Sequence, residues 1–413
     1  MVDCSPPNCN NHSGHRGMQA PHIRSSTGAG GSEMPKVERI EIKSYECVFA
    51  PEQAYGMART MNTRRVCSII AVTTDQGIVG HGESSGPLRP LREYLAIAAP
   101  FFIGQSVFDF EIIAAQVYNR LYHFGVQGQL TSCLGGISVA LHDAIGKTLG
   151  VPVHDLIGGR ANAKLACYAT TGEFTARDTD GRLEAQLERV KARGFRIVKI
   201  KIGKNPASDR DRVRIARQAL GDDAILMVDV NGNYTPDIAY ESIRRMEPYD
   251  IHFYEEPLPP TDVRGYAELR AKSPIRIAAG EACYTVYDFK RLVDTHGADI
   301  LQPAIMTCGG LGQAKAIAQL AAMNNLRIVP NGFGGAVNWA ATLHYVASLP
   351  ISPFTSNVPY PNMIEYHVGA NPFFETMLKT PYGIQNGEIA VPTGPGLGIE
   401  IDFAAIEPYA VAA

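Results

Sequence analysis

The chain has 413 residues, a formal net charge of −3, 45% hydrophobic residues and 19% charged residues. That balance belongs to a soluble globular protein. It gives no electrostatic ground for nucleic acid or an anionic membrane as partner, so small molecules are the expected ligands. The length calls for a large barrel with an attached domain, or for two to three medium domains. No run of roughly 18 apolar residues occurs, and the first residues lack the charged start and apolar stretch of a secretory leader. Eight scattered cysteines (Cys4, Cys9, Cys47, Cys67, Cys133, Cys167, Cys283, Cys308) form no C-x-x-C pair. They suit thiols of a reducing compartment better than disulfides or zinc ligands, and the expected location is the cytoplasm.

Residues 1–35 are rich in Ser, Gly, Pro, Asn and His with almost no periodic apolar positions, so a disordered head is expected, with His12, His15 and His22 as polar tail. An α+β capping domain is expected over residues 36–160. Its strands are Val37–Tyr45, Cys67–Thr74 and Val79–Glu83, the last two joined at Asp75-Gln76-Gly77 into an antiparallel hairpin. Helical periodicity follows over residues 90–150, notably Ser132–Leu149 with Gly150 as its stop. After Gly159, short apolar runs alternate with amphipathic helices: Leu165–Thr170, Ile197–Ile202, Ala224–Val230, Ile251–Glu255, Ile275–Ala279, Ile300–Ala304, Arg327–Pro330 and a weaker Met363–Tyr366. Eight such units over residues 161–370 predict a TIM-type (β/α)8 barrel with a less regular eighth unit, whose functional groups lie at the C-terminal strand ends. Residues 371–413 are expected to form a closing strand pair and to pack back onto the capping domain.

Charged side chains recur at the ends of these buried strands, where packing alone would not place them. They are Lys199 and Lys201, Asp229 with Asn231, Glu255 and Glu256, and Glu281; from Lys201 to Asp229, Glu255 and Glu281 the steps are 28, 26 and 26 positions. Three carboxylates converging at a barrel mouth repel one another and call for a cation between them. Oxygen ligands without histidine or cysteine select Mg²⁺ or Mn²⁺ over zinc. Strand alternation puts Lys199 and Lys201 on one face. Beside a second ammonium and a dication, Lys201 is expected to have a lowered pKa, as a general base at neutral pH requires.

The set Lys199-x-Lys201, Asp229-x-Asn231, Tyr254-Glu255-Glu256-Pro257 and Gly280-Glu281, behind a hairpin domain, resembles the mandelate racemase and muconate lactonizing branch of the enolase superfamily over roughly residues 36–402. A lysine or histidine base beside Mg²⁺ is the known pattern of that superfamily, not a deduction from these residues. The resemblance implies Asp229, Glu255 and Glu281 as metal ligands, Lys201 as the base at the carbon next to a carboxylate, and Lys199 against that carboxylate. It also implies Glu365 as an acid that hydrogen-bonds the substrate carboxylate, and a homo-oligomer. Asn231 reads as a hydrogen-bond partner near the site.

One departure bears on the reaction. Where mandelate racemase-like members pair a strand-seven histidine with a strand-six aspartate, Asp299 fits the aspartate, but Asn331 stands at the histidine's place. Asparagine accepts no proton at neutral pH. One-base elimination from an acid sugar, or ring opening of its lactone or anhydro form, therefore fits better than two-base racemisation. The alternatives are a racemase or epimerase, and a non-catalytic carboxylate binder. Arg59, Arg64 and Arg65 are candidates for substrate contact, whereas His252, His296, His344 and His367 read as helical or outward. Gly309-Gly310-Leu311-Gly312 lacks the dinucleotide fingerprint, and its backbone amides are candidates for holding an anion.

Overall fold

A computed structural model describes residues 34–125, 127–175, 181–350 and 361–411. The expected head, apart from its last two residues, lies outside the described residues, as do His12, His15 and His22.

Strands β1 (Val37–Val48), β2 (Tyr55–Met57), β3 (Thr60–Asn62), β4 (Arg64–Thr74) and β5 (Val79–Ser84) precede helices α1 (Leu88–Phe102), α2 (Phe110–Leu121), α3 (Gln129–Leu149) and α4 (Val153–Ile157). β1, β4 and β5 form an antiparallel sheet, and the hairpin turns at Gly77 as its sequence predicts. α3 ends at Gly150 in the left-handed region, φ 71°. It lies so close on β5 that a Cβ at Gly80 would sit 2.0 Å from the Ala140 carbonyl oxygen, and one at Gly82 2.0 Å from that of Gly136. The Gly80-x-Gly82 pattern thus records helix-on-strand contact.

The second layer runs β6 (Lys164–Thr171), β7 (Phe174–Thr175), α5 (Gly181–Ala192), β8 (Ile197–Lys201), α6 (Pro206–Leu220), β9 (Ile225–Asp229), α7 (Pro236–Met246), β10 (Ile251–Glu255), α8 (Val263–Lys272), β11 (Arg276–Ala279), α9 (Thr285–Asp294), β12 (Ile300–Leu301), α10 (Ile305–Cys308), α11 (Leu311–Met323), β13 (Arg327–Ile328), α12 (Ala336–Ser348) and β14 (Met363–His367). Its strands follow the order β13-β12-β11-β10-β9-β8-β6-β14, all paired in parallel. This is a modified TIM-type barrel with an α+β capping domain. Tyr168, Ile197, Met227, Phe253, Ala278, Ile300, Val329 and Met363, one from each barrel strand or its end, form a buried apolar cluster. Strand alternation carries the same inward face from Ile197 to Lys199 and Lys201, from Met227 to Asp229, from Phe253 to Glu255 and from Met363 to Glu365 and His367. At the seam between the seventh and eighth strands a Cβ on Gly332 would lie 2.6 Å from the Glu365 carbonyl oxygen, so only glycine fits there.

The tail differs from the expected closing strand pair. β15 (Glu388–Ala390) joins the barrel by pairing antiparallel with the start of β6. Further on, the Leu397 N–H donates to Asp143 on α3 at 2.8 Å and the Val411 N–H to the Ser44 carbonyl at 2.9 Å, tying the tail to the capping domain. Gly310 and Gly312 also depart from the anion reading. The Leu311 N–H donates to Ser138 Oγ at 3.2 Å, and a Cβ on Gly312 would run into Glu111, so these glycines receive α3 and α2.

Glu83, at the end of β5, is fully buried and reaches the N-terminus of α12, accepting from the Gly335 N–H at 2.6 Å and the Asn338 N–H at 2.9 Å. A carboxylate at a helix N-terminus satisfies orphan donors and complements the dipole. Glu83→Ala is predicted to leave both donors unpaired and cost roughly 2–4 kcal/mol of stability by denaturant unfolding. A change within experimental error would show that water replaces the carboxylate.

Candidate active site at the barrel mouth

Strand register assembles the site. Lys201 is the ladder partner of Asp229, and Asp229 that of Glu255. Gly280, with φ 135°, then turns Glu281 toward the same centre after β11. Asp229, Glu255 and Glu281 each offer a carboxylate oxygen within 4.8 Å of the others.

Two ammoniums stand among them. Lys199 Nζ lies 2.7 Å from Glu255 Oε1, 2.9 Å from Glu365 Oε1 and 3.8 Å from Asp229 Oδ2. Its side chain is 1% exposed, and its donors are directed at Glu255 and Glu365. Lys201 Nζ lies 2.5 Å from Asp229 Oδ2 and does line the cavity. Burial lowers the Lys201 pKa, but Asp229 above all, then Glu281 and Glu255, more than reverse this and hold it above the ordinary lysine value, against the sequence expectation. A dication sharing the Asp229 charge would weaken that hold.

The carboxylates respond to burial and to one another. Burial, then Asp229 and other neighbouring carboxylates, push Glu255 up to about 8 against the pull of Lys199. Glu281 is raised by burial and by Asp229. Glu256, buried and in the positive-φ region at 39°, is raised by burial and by Glu281, Asp229 and Glu255. Burial also opposes the charge on Glu365, yet Lys199, Lys201, the Thr170 hydroxyl at 2.5 Å and the Gly332 N–H at 2.9 Å outweigh it and hold its pKa down to about 2. Four buried carboxylates and the half-buried Glu281 thus face two ammoniums. A hard dication between Asp229, Glu255 and Glu281 fits this all-oxygen, charge-excess donor set.

The neighbours orient these groups. The Asn231 N–H and Nδ2 donate to the two oxygens of Asp229 at 2.8 and 3.1 Å. Asn331 Nδ2 donates to Glu281 Oε2 at 2.7 Å, a donor's role that asparagine fills where a histidine was expected. Gln302 Nε2 donates to Glu255 Oε2 at 2.7 Å; sequence reading missed it, although it is two positions beyond the inward Ile300.

Asp299 is not in this site. It precedes β12 at the barrel's opposite end, paired with Arg270 at 2.7 Å and accepting from the Ile277 N–H at 2.9 Å. One position before the inward Ile300, it faces outward, so the aspartate reading is corrected. His367 is corrected in the other direction. It lines the mouth cavity with Lys201, Glu281, Asn331, Glu365 and Glu173, and its Nε2 lies 2.7 Å from Glu173 Oε1. The cavity holds about 280 Å³, and Tyr55, Gly56, Met57 and Asn62 of the capping domain form its outer wall. Arg59 and Arg64 are exposed, Arg64 against Glu46, while Arg65 is buried beside His367.

A capping domain over a parallel barrel, with two lysines and a carboxylate trio at the mouth, defines the class of enolase-type barrels. Residues 43–158 match the model of the mandelate racemase / muconate lactonizing enzyme N-terminal domain, and residues 182–405 that of the enolase C-terminal domain-like family. The chain belongs to the mandelate racemase and muconate lactonizing enzyme family of the enolase superfamily. It is 35% identical over 349 residues to the D-galactarolactone cycloisomerase of Agrobacterium fabrum (strain C58 / ATCC 33970), covering 84% of this chain and 92% of that one. It is 29% identical over 344 residues to the arabinonate dehydratase of Saccharolobus solfataricus, covering 82% and 89% respectively. The crystal structure of the 3,6-anhydro-D-galactonate cycloisomerase from Zobellia galactanivorans superposes with a TM-score of 0.81 at 31% identity, covering 91% of this chain and 100% of that one. The crystal structure of a racemase from Streptomyces coelicolor A3(2), 25% identical with a TM-score of 0.80 and covering 91% of this chain and 100% of that one, holds bound magnesium. Among the described residues no helix is long and apolar enough to cross a membrane.

A carboxyl group with a raised pKa is protonated below that value, so a cation entering the trio competes with protons. Mg²⁺ affinity is therefore predicted to rise as pH climbs from ~6 to ~8 and then to level, with protons released on binding. Calorimetry across that range checks it; a pH-independent affinity would contradict the assignment.

Proposed function

We propose that this protein is a lyase or isomerase of acid sugars: Lys201 removes the proton next to the substrate carboxylate, and a β-oxygen then leaves, as water or as the ring oxygen of a lactone or anhydro sugar. The observation that carries this reading is Lys201 on the cavity wall beside the Asp229, Glu255 and Glu281 trio, with no second base at Asn331. Asp229, Glu255 and Glu281 would hold Mg²⁺, or Mn²⁺ in its place. When bound, the ion would supply Lewis-acid stabilisation for the charge that develops as the proton leaves.

The remaining roles follow from the side chains. Lys199 fixes Glu255 and Glu365 from behind the cavity and contributes positive potential. Glu365, held ionised, only accepts hydrogen bonds, so it suits a substrate hydroxyl rather than the substrate carboxylate. Asn231 and Asn331 hold Asp229 and Glu281 in position. The names of the similar proteins support aldonic and aldaric acids and their lactones or anhydro forms as the substrate class. The six described cysteines are free, which supports a reducing cytoplasm. The family supports a homo-oligomer, which light scattering would measure.

A panel of acid sugars and their lactones with Mg²⁺, including D-galactarolactone, D-galactonate and 3,6-anhydro-galactonate, tests the reading by 2-oxo-acid formation. Lys201→Met is predicted to lower turnover by roughly 10²–10⁴-fold or more with the fold retained. A variant keeping a tenth of wild-type activity would remove Lys201 as the base.

A further inference from the structure

His367 ends β14 on the inward face that also carries Met363 and Glu365, and it opens onto the cavity that Lys201 lines. Its ring is held from several sides. Nε2 lies 2.7 Å from Glu173 Oε1, just after β6. Arg65 Nη2, on β4, lies 3.3 Å from Nδ1. Tyr55 of β2 stacks on the ring at 5.8 Å between centroids, and Phe333 meets it edge-on at 5.6 Å.

The supports are themselves fixed. Arg65 is clamped between Phe333 at 4.1 Å and Tyr55 at 5.2 Å, and its Nε donates to Tyr55 Oη at 2.6 Å. β2 pairs with β7 through Gly56 and Phe174, which pins the capping strand beside Glu173. Capping strands, first strand and eighth strand thus converge on one imidazole that neither proton removal nor metal binding uses.

Elimination needs such a group. An alkoxide or hydroxide leaves poorly unless it is protonated as the C–O bond breaks. Lys201 becomes protonated in the first step, and Asn331 carries no transferable proton. We propose that His367, oriented and charge-paired by Glu173, is the general acid that protonates the departing β-oxygen; this rests on the elimination reading above.

The step balances. Lys201 takes the α-proton, the C–H electron pair forms the double bond, and the β-C–O bond breaks with its electron pair on oxygen. That oxygen takes the His367 proton and leaves as water, or as a new hydroxyl from an anhydro ring; a lactone's ring oxygen leaves as a carboxylate and needs no such proton. The enol tautomerises to the 2-oxo acid, and Lys201 returns a proton to His367 through solvent. Burial opposes the charge on Glu173, but His367 at 2.7 Å, helped by Lys201, outweighs it and holds Glu173 below the ordinary carboxylate range. Arg65 opposes that charge and Tyr55 is neutral.

The test uses the full-length protein with Mg²⁺ and two probes, D-galactonate and 3-deoxy-3-fluoro-D-galactonate, because fluoride leaves without a proton. His367→Asn is expected to lose roughly 10²–10⁴-fold in dehydration. It should eliminate fluoride at near the wild-type rate and keep Lys201-dependent exchange of the α-proton in D₂O. Equal losses with both probes would overturn the acid role. Glu173→Gln should likewise lose dehydration while keeping fluoride elimination and α-proton exchange. Equal losses with both probes in that variant would overturn the pairing. Failure of the elimination reading would instead appear as no exchange by the wild type on any acid sugar.

Discussion

The architecture depends on one electrostatic constraint: four buried carboxylates, Asp229, Glu255, Glu256 and Glu365, and the half-buried Glu281 share one barrel mouth with the ammoniums of Lys199 and Lys201. Burying unpaired charge costs more than any local packing can return, so such a cluster persists only where counter-charge or protons are supplied. Lys199 supplies part, deep between Glu255 and Glu365. Protons meet the rest, as the raised Glu255, Glu256 and Glu281 show. Under the proposed function a dication in their place would also loosen Asp229 from Lys201, so that metal affinity and basicity would be one property of the same trio.

The scaffold keeps these charges at fixed separations. The apolar cluster from Tyr168 to Met363 fills the barrel beneath them, and parallel register sets Lys201, Asp229 and Glu255 side by side. The capping domain is locked on through Glu83 at the start of α12 and Asp143 at the tail. Because Tyr55, Gly56, Met57 and Asn62 wall the cavity, the capping domain is part of the site that selects a substrate.

Much of this was legible in the chain, and the rest shows what strand patterns hide. The hairpin, the helix ending at Gly150 and the strand-end charges follow from local rules: turn chemistry, a glycine stop, and ionised groups where packing alone would put apolar ones. Asp299 and His367 were misjudged by the same omission. Both questions are settled by alternation once one inward residue per strand is known: Ile300 turns Asp299 outward, and Glu365 turns His367 inward. Glu173, Arg65 and Tyr55 come from three separate segments, so their convergence on His367 had no local signal. The glycines at 310 and 312 suggested an anion when read alone; in the structure they, like Gly80 and Gly82, receive other parts of the backbone and side chains.

The most direct test of the central claim is diffraction from crystals soaked in Mn²⁺, read by its anomalous signal. The account predicts one ion bound by Asp229, Glu255 and Glu281, with Lys201 no longer held by Asp229. An ion elsewhere, or none between these three carboxylates at saturating Mn²⁺, would contradict it.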